Sequence, residues 1–325
     1  MGLLCLAVLR KMGVVEWSAK LRRNPDSNRN LLSFSMSKLH MGLLDKPAPG
    51  HQRFDFSKEQ RHSLHIHRLR NFRSEYLPTR FNIDIFLPPD YDASGSGRFP
   101  VLFFNDGQDM EAVRLTETLT KLYARQQIPS LIVVAIHAGE RLQEYGTAHR
   151  PDYRKRGSKA HLYTKFIITE LVPHLKKTYP VREGAEHMAF AGFSLGGLSA
   201  MDIVWNNPKL FGKAGVFSGS FWWRHCDYCE DDPDGGRIMH ELVDTGYHRP
   251  GLKFWFQTGT MDETDDRNGN GVIDSIDDTL DLIERLKENG YHHKHDLHYR
   301  EVKDGIHHPH TWGLVLPEFL VWAFG

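Results

Sequence analysis

The sequence lacks several features that would place it in a special class of protein. Only three of its 325 residues are cysteine, so at most one disulfide bond can form and a disulfide-held scaffold is excluded. No apolar run approaches the roughly 20 residues that a membrane-spanning helix needs. Neither sign of charge is in excess, because 41 Lys and Arg balance 41 Asp and Glu. That balance argues against a broadly basic nucleic-acid binder and against a polyacidic, disordered chain.

What remains is the composition of an ordinary globular protein. Hydrophobic residues make up 40% of the chain and aromatic residues 11%, which is enough to build a sizeable core. The length allows one large α/β domain or two medium-sized domains. We therefore expect a soluble protein that has neither nucleic acid nor a membrane as a partner.

The first 59 residues differ from the remainder. Residues 1–10 are apolar, but no basic segment precedes them and no small-residue cleavage site follows, so a signal peptide is not predicted. Leu6 stands where a myristoylation motif requires Ser or Thr. We predict a poorly ordered polar extension over residues 1–59, with a functional tail as the alternative, followed by one catalytic domain over residues 60–325 in the cytoplasm.

From about residue 62 onward, strand-like and helix-like patterns alternate. Residues 63–69 and 80–87 alternate apolar with polar side chains, and we expect them to form an antiparallel pair at a sheet edge. Five short, almost continuous apolar runs follow, as expected for strands of a parallel sheet that is covered on both faces. Helical patterns lie between and after them, over 111–125, 159–179, 195–206, 279–289 and 311–324, which predicts a doubly wound α/β sheet. The apolar runs are 101–104, 131–136, 188–191, 214–217 and 252–256.

One segment carries a nucleophile motif. Gly192-Phe-Ser194-Leu195-Gly196 matches Gly-x-Ser-x-Gly directly after a predicted strand and before a predicted helix. In that setting the serine occupies a sharp turn, and glycines stand where side chains would obstruct it. The main-chain N–H of Leu195, at the start of the helix, is then directed at a developing oxyanion. The alternative is a Gly/Ser turn that has only a structural role.

A serine of ordinary pKa needs a base, and the base needs an orienting acid. In α/β-hydrolases both follow the nucleophile along the chain, the acid first. We assign the acid to Asp262, after the 252–256 strand, with Glu263 as its rival. The base is predicted in the segment after the last strand, which contains His307, His308 and His310.

Together these segments resemble the esterase family that includes enterochelin esterases, feruloyl esterases, esterase D-type enzymes and mycolyltransferases. The resemblance covers roughly residues 60–325. It implies an α/β-hydrolase fold, mostly a parallel doubly wound sheet with antiparallel N-terminal edge strands. The matching segments are 103–108, 191–197, 218–223, 259–262 and 305–312.

The resemblance also implies roles for individual residues. In the family the catalytic histidine stands five residues before a tryptophan, which here is Trp312 and selects His307. The second oxyanion donor is implied near Gly107 or Gln108, and we take Gln108. The family usually has Gly-Gly-His where this chain has Gly-Ile-His, so the local turn differs.

We therefore expect a serine ester hydrolase in which Ser194 attacks, His307 transfers the proton, Asp262 orients His307, and Leu195 and Gln108 bind the oxyanion. Siderophore trilactones, acyl sugars and feruloyl esters are the substrates that the family suggests. Acyl transfer by the same fold and a catalytically silent binding protein are the alternatives. Phe221 and Trp222 are predicted to line the substrate pocket, with core packing as an equal alternative.

A second motif lies just after Asp262. Residues 266–277 fit an EF-hand-type loop, with oxygen ligands at the expected positions and glycine at position 6. This pattern predicts a structural Ca²⁺ that rigidifies the segment carrying Asp262, and a solvated Asx-rich turn is the alternative. Position 12 is Asp where Glu is usual. The predicted ligands are Asp266, Asn268, Asn270, the Val272 carbonyl, Asp274 and Asp277.

Two of the cysteines form the motif Cys226-x-x-Cys229. A zinc site would need a second such pair, which the chain does not have. We interpret the motif as part of an acidic surface insertion that continues through residues 230–236.

Overall fold

The computed structural model describes residues 63–325. The predictions made for residues 1–59, and the proposed domain start at residue 60, lie outside this range. No helix within residues 63–325 is both long enough and apolar enough to span a membrane.

An eight-stranded sheet organises the described chain. Its strand order is β1-β2-β4-β3-β5-β6-β7-β8. The β1–β2 and β2–β4 pairs are antiparallel, and every other neighbouring pair is parallel. This is the predicted mostly parallel sheet with an antiparallel N-terminal edge. The strands are β1 (His65–Arg73), β2 (Arg80–Leu87), β3 (Val101–Phe104), β4 (Ile132–Ile136), β5 (Met188–Phe193), β6 (Lys213–Phe217), β7 (Lys253–Met261) and β8 (Leu297–Ile306).

The strand predictions are confirmed in kind and differ mainly at the ends. All five apolar runs are strands, and every residue of β3, β4 and β5 is buried because helices cover both faces of the sheet. Strand β7 continues five residues beyond the predicted Phe256, to Met261. The first four of these five residues are polar or small, so hydrophobicity alone could not mark the extension as strand.

Helices cover both faces of the sheet. The predicted helix over 159–179 is divided, because a π-helical turn at Ile167–Leu171 separates α3 from α4. Helix α7 begins at Asp274, five residues before the predicted start, and so includes the end of the 266–277 motif. Helices α2 and α6 were not predicted, since each spans seven residues or fewer. The helices are α1 (Leu115–Ala124), α2 (Arg141–Glu144), α3 (Ala160–Phe166), α4 (Val172–Thr178), α5 (Leu195–Asn206), α6 (Ile238–Asp244), α7 (Asp274–Glu288) and α8 (Pro309–Phe324).

The core consists of two buried clusters, one on each face of the sheet. The larger includes α5, packed under β5 and β6, and the smaller includes α8 with Phe193, Phe217 and Trp312. Because β3 to β8 run parallel to one another, their carboxyl ends meet at one edge of the sheet. Ligands of open α/β sheets bind outside such an edge, and the predicted catalytic residues follow β5, β7 and β8 there.

Candidate active site

Ser194 occupies a strained turn between β5 and α5. Its backbone has φ 53° and ψ −122°, a region that L-residues rarely adopt. The turn is possible because its neighbours are glycines: a Cβ on Gly192 would lie within 3.0 Å of the Gly197 nitrogen and closer still to the Gly196 carbonyl. The Ser194 side chain therefore stands at the sheet edge in the strand–turn–helix setting that the motif requires.

Two main-chain N–H groups at this edge of the sheet lie ahead of the first hydrogen bonds of their helical turns. The first helical bonds of α5 are donated by Gly197 and Leu198 to the Ser194 carbonyl, so the Leu195 N–H precedes them. Gln108 lies in a 3₁₀ turn after β3, where Asp109 donates the first bond, to Asp106. The side chain of Gln108 is engaged elsewhere, because its Nε2 donates to Asp106 Oδ1 at 3.3 Å and its Oε1 accepts a 3.0 Å bond from the Ala138 N–H. Only its backbone can serve as an oxyanion donor in this arrangement.

The sheet register brings Asp262 and His307 together. Met261 of β7 pairs with Ile306 of β8, and the two predicted catalytic residues come directly after this pair. Neighbouring strands lie about 4.8 Å apart, so the two side chains project from adjacent positions. The Asp262 Oδ2 accepts a 2.9 Å bond from the Gly259 N–H, which holds the carboxylate in place. Its Oδ1 is buried and has no hydrogen-bond partner among the described residues.

Burial sets the proton affinities of this pair. It raises the pKa of Asp262, against the opposing effects of the Gly259 N–H, the Ser218 hydroxyl and His307. Partial burial lowers the pKa of His307, while the Asp262 charge opposes the change and Arg141 reinforces it. A histidine whose ring is neutral near pH 7 can accept a proton from a serine hydroxyl, as a general base must.

The rival acid, Glu263, faces a different part of the molecule. Its carboxylate lies against Ser275 and Asp274 at the start of α7, where burial raises its pKa to about 7. Asp262 is the residue whose charge acts on His307. The geometry therefore favours Asp262 over Glu263.

A buried polar network supports the Ser194 turn from below. The Asn105 side-chain amide donates to the Gly196 carbonyl at 2.8 Å, and Tyr163 donates to Asn105 at 2.7 Å. Asp106 accepts two bonds from the Arg141 guanidinium, at 2.8 and 3.0 Å. Asn105 and Asp106 lie within 103–108, one of the segments that carry the family resemblance, but the sequence predicts no role for either. Arg141 was missed, because nothing in the sequence connects it to an aspartate 35 residues away.

The two aromatic residues predicted to line the pocket differ in how far they are exposed. Phe221 is only 1% exposed and packs against Phe256 and His240, so it belongs to the core. Its predicted contact with substrate is corrected accordingly. Trp222 is 37% exposed and follows Ser220, whose Oγ lies 3.3 Å from the Ser194 Oγ. Trp222 is thus the member of the pair that a ligand can touch.

The predicted calcium loop closes on itself through its polar side chains. Asp266 Oδ1 accepts bonds from the main-chain N–H groups of Gly269 and Asn270, at 2.8 and 3.2 Å. The amides of Asn268 and Asn270 both donate to Asp277 Oδ2, at 3.1 and 2.8 Å. Four of the six predicted ligands therefore converge. Calcium binding itself stays a prediction.

The other two predicted ligands lie differently. Val272 donates its N–H to Asn270 Oδ1 at 2.7 Å. Asp274 Oδ1 accepts from the Arg267 backbone at 2.9 Å and lies 3.1 Å from its guanidinium, so this carboxylate is already paired with a cation. Arg267 also reaches the buried Asp278, 2.9 Å away, which anchors the loop to α7.

The two cysteines of the Cys-x-x-Cys motif are exposed and form no disulfide. Across residues 63–325, no group of three or more His, Cys, Asp or Glu side chains is arranged to hold a metal ion. The exposure of Cys226 and Cys229 agrees with their interpretation as part of a surface insertion.

The chain is similar in sequence to a family of esterases. Residues 74–323 match the model of a family described as "Putative esterase". The uncharacterized protein YbbA of Bacillus subtilis is 28% identical over 156 residues, which are 47% of this chain and 62% of YbbA. An iron(III) enterobactin esterase of Escherichia coli O6:H1 is 30% identical over 192 residues, or 59% of this chain and 44% of that protein. The chain thus spans about half the length of these relatives.

Solved structures show the same fold. The enterobactin esterase FES from Shigella flexneri has a TM-score of 0.60 at 24% identity, covering 79% of this chain and 58% of its own. A ferulic acid esterase has a TM-score of 0.60 at 18% identity and is covered over its full length, against 81% of this chain. At these identities the likeness establishes the fold alone.

Proposed function

The chain belongs to the "Putative esterase" family, and on that premise we propose that it is a carboxylic ester hydrolase with Ser194 as its nucleophile. The strained backbone of Ser194 is the observation that carries the proposal. A non-glycine residue held at φ 53° between two sterically required glycines costs stability, and such strain is retained where it orients a functional group. The family match and the Ser–Asp–His order along the chain support the same conclusion.

The proposed reaction uses three side chains and two N–H groups. The Ser194 Oγ attacks the ester carbonyl carbon while His307 accepts the serine proton, and Asp262 stabilises the resulting imidazolium. The N–H groups of Leu195 and Gln108 stabilise the oxyanion of the tetrahedral intermediate. His307 then returns the proton to the departing alcohol, which leaves an acyl-enzyme at Ser194. A water molecule, activated by His307, hydrolyses that ester and frees the serine.

The substrate is proposed to be a small-molecule ester. Relatives named for enterobactin and for ferulic acid suggest siderophore trilactones and feruloyl esters as candidates, and acyl sugars extend the same class. The exposed Trp222 near Ser194 offers a flat apolar surface for an aromatic acyl group, which favours the first two. A screen of hydroxycinnamate esters against short-chain acyl esters of one alcohol separates these possibilities.

Two other functions would use the same fold. An acyltransferase would form the same acyl-enzyme and pass the acyl group to an alcohol other than water. A silent binding protein would need no nucleophile. Retention of Ser194, Asp262 and His307 in one sheet-edge register favours an enzyme over a binder.

The decisive experiment measures p-nitrophenol release from p-nitrophenyl acetate by the wild-type protein and by Ser194→Ala. We expect a pre-steady-state burst that a fluorophosphonate blocks, and a loss of about 10⁴-fold or more in kcat for Ser194→Ala. Ser199→Ala, a buried serine elsewhere on α5, is the matched control and should retain activity. Undiminished turnover by Ser194→Ala would refute the mechanism. Product analysis with added alcohols distinguishes transfer from hydrolysis.

A further inference from the structure

Trp312 contacts the surroundings of all three proposed catalytic residues. Its ring stacks on Phe193, the residue before Ser194, with centroids 4.6 Å apart and planes 8° from parallel. The same ring meets His307 edge-on, with centroids 5.4 Å apart at 84°. Its indole Nε1 donates a 2.9 Å hydrogen bond to the Ser218 Oγ. Trp312 is 6% exposed, so these contacts are protected from solvent.

Ser218 stands between the nucleophile and the acid in the sheet. Phe217, the last residue of β6, pairs with Phe193 of β5 on one side and with Gln257 of β7 on the other. Ser218 therefore follows the strand that lies between β5, which leads to Ser194, and β7, which leads to Asp262. Ser218 is 2% exposed, and its backbone has φ 46°, a second strained position at this edge. A strained, buried serine that serves only packing would be replaced by glycine without loss.

The hydrogen bond from Trp312 determines what the Ser218 hydroxyl can do. An indole N–H is a donor only, whereas a hydroxyl has one proton to donate and lone pairs that accept. Because the Ser218 Oγ accepts from Trp312, its own proton is directed to another acceptor. The Asp262 carboxylate is a suitable acceptor, because the Ser218 hydroxyl lowers the pKa of Asp262. The buried Oδ1 of Asp262 has no hydrogen-bond partner within residues 63–325.

We propose that Ser218, oriented by Trp312, is a positioning residue that holds the Asp262 carboxylate toward His307 during catalysis. The proposal rests on the esterase function proposed above. Catalytic hydrogen bonds are often long without substrate and shorten in the reacting complex, so the Ser218–Asp262 contact is expected to tighten on acylation. In this proposal Ser218 and Trp312 act through Asp262 and His307 and take no part in bond making, which separates their role from that of Ser194.

Removing the hydroxyl changes both rate and pH dependence. Ser218→Ala should lower kcat about 10-fold and leave KM within about 2-fold, because the orientation of the base matters in the transition state. Without this donor the Asp262–His307 pair retains a proton to higher pH, so the acid limb of the kcat/KM profile should move upward by about half a unit. This variant leaves two neighbouring titratable groups unchanged: Arg141, whose charge acts on His307, and Tyr299 of β8, whose hydroxyl interacts with the Asp262 charge.

Two further variants separate positioning from structure. Ser218→Gly removes the hydroxyl and also relieves the strain at φ 46°, so it should keep the melting temperature of wild type but show the kcat of Ser218→Ala. Trp312→Phe removes the N–H and should cost about 5-fold in kcat in the wild-type background and less than 2-fold in the Ser218→Ala background. Trp255→Phe is the control, since the buried Trp255 Nε1 has no partner in the described chain; its kcat should not change.

The outcomes are distinct. The proposal is supported if Trp312→Phe lowers kcat less in the Ser218→Ala background than in wild type and if the acid limb of the kcat/KM profile of Ser218→Ala moves upward. An equal cost of Trp312→Phe in both backgrounds, or an unmoved acid limb, overturns it while the esterase function stands. If Ser194→Ala retains turnover in the same assays, the esterase function itself fails.

Discussion

The Ser194 turn and the 266–277 loop follow the ends of two strands in one sheet, yet they are held by different forces. The Ser194 turn is fixed mainly by close backbone contacts and buried hydrogen bonds, with Asn105 fully buried beneath it. The loop is exposed at Asp266, Asn268 and Asn270, and side-chain hydrogen bonds to carboxylates hold it together. The first is specified by shape and the second by charge.

This difference teaches where each region is vulnerable. A region specified by shape fails when an atom is added, because close-packed surroundings cannot move aside. A region specified by charge tolerates added atoms but responds to the loss of an ion partner or to a bound cation. The same type of substitution should therefore have unequal effects in the two places.

The largest effect is expected for Gly192→Ala in the Ser194 turn. The added Cβ would meet main-chain atoms of Gly196 and Gly197, which no side-chain rotation can relieve. We expect the free energy of unfolding to fall by about 3 kcal/mol and kcat to fall about 100-fold, since the nucleophile is displaced. Denaturant titration and p-nitrophenyl acetate hydrolysis measure the two quantities.

The matched change in the loop is Gly271→Ala. Gly271 has φ 84°, but nothing lies within 4 Å of the added Cβ, so only the backbone strain of about 1 kcal/mol is expected. Gly97→Ala, in open space without a positive φ, is the baseline for both. Equal losses of stability at positions 192 and 271 would remove the distinction drawn between the two regions.

The same distinction explains what could be predicted from the sequence. The Ser194 turn was predictable, because Gly192 is required by a steric conflict with Gly196 and Gly197, only a few residues along the chain. Arg141 was not, since its partner Asp106 is brought to it only by the folded sheet. Phe221 was undecided, because burial of an aromatic ring depends on packing partners distant in sequence, here Phe256 and His240.

Arg267→Met removes the ionic anchor of the loop, and we expect it to lower stability about as much as Gly192→Ala but to affect kcat far less. The Arg267 side chain is 6% exposed and pairs with Asp278, which is 1% exposed, so the substitution leaves a buried carboxylate with less compensation. Breaking such a pair typically costs about 3 kcal/mol. Because Arg267 touches no proposed catalytic residue, kcat at a temperature where the variant is folded should stay within about 3-fold of wild type.

Arg285→Met, on α7, is the control for Arg267→Met in the loop before that helix. Arg285 pairs with Asp244 at the surface, where its side chain is 33% exposed, and such pairs contribute at most about 1 kcal/mol. Comparable losses of stability in the two variants would mean that burial of the Arg267 pair is not what anchors the loop.

The smallest effect on kcat is expected from calcium. In the described loop the amides of Asn268 and Asn270 donate to Asp277, and a bound Ca²⁺ would require both amides to present oxygen instead. The predicted ion would therefore replace existing hydrogen bonds, and at 100 times its Kd it would stabilise the protein by at most about 2.7 kcal/mol.

We expect EGTA to lower the melting temperature by about 5 °C and to leave kcat nearly unchanged. Asp277→Asn should abolish the response to calcium, whereas Asp281→Asn, further along α7, should preserve it. A melting temperature that is the same with EGTA and with millimolar Ca²⁺ would show that the loop is held by its own hydrogen bonds.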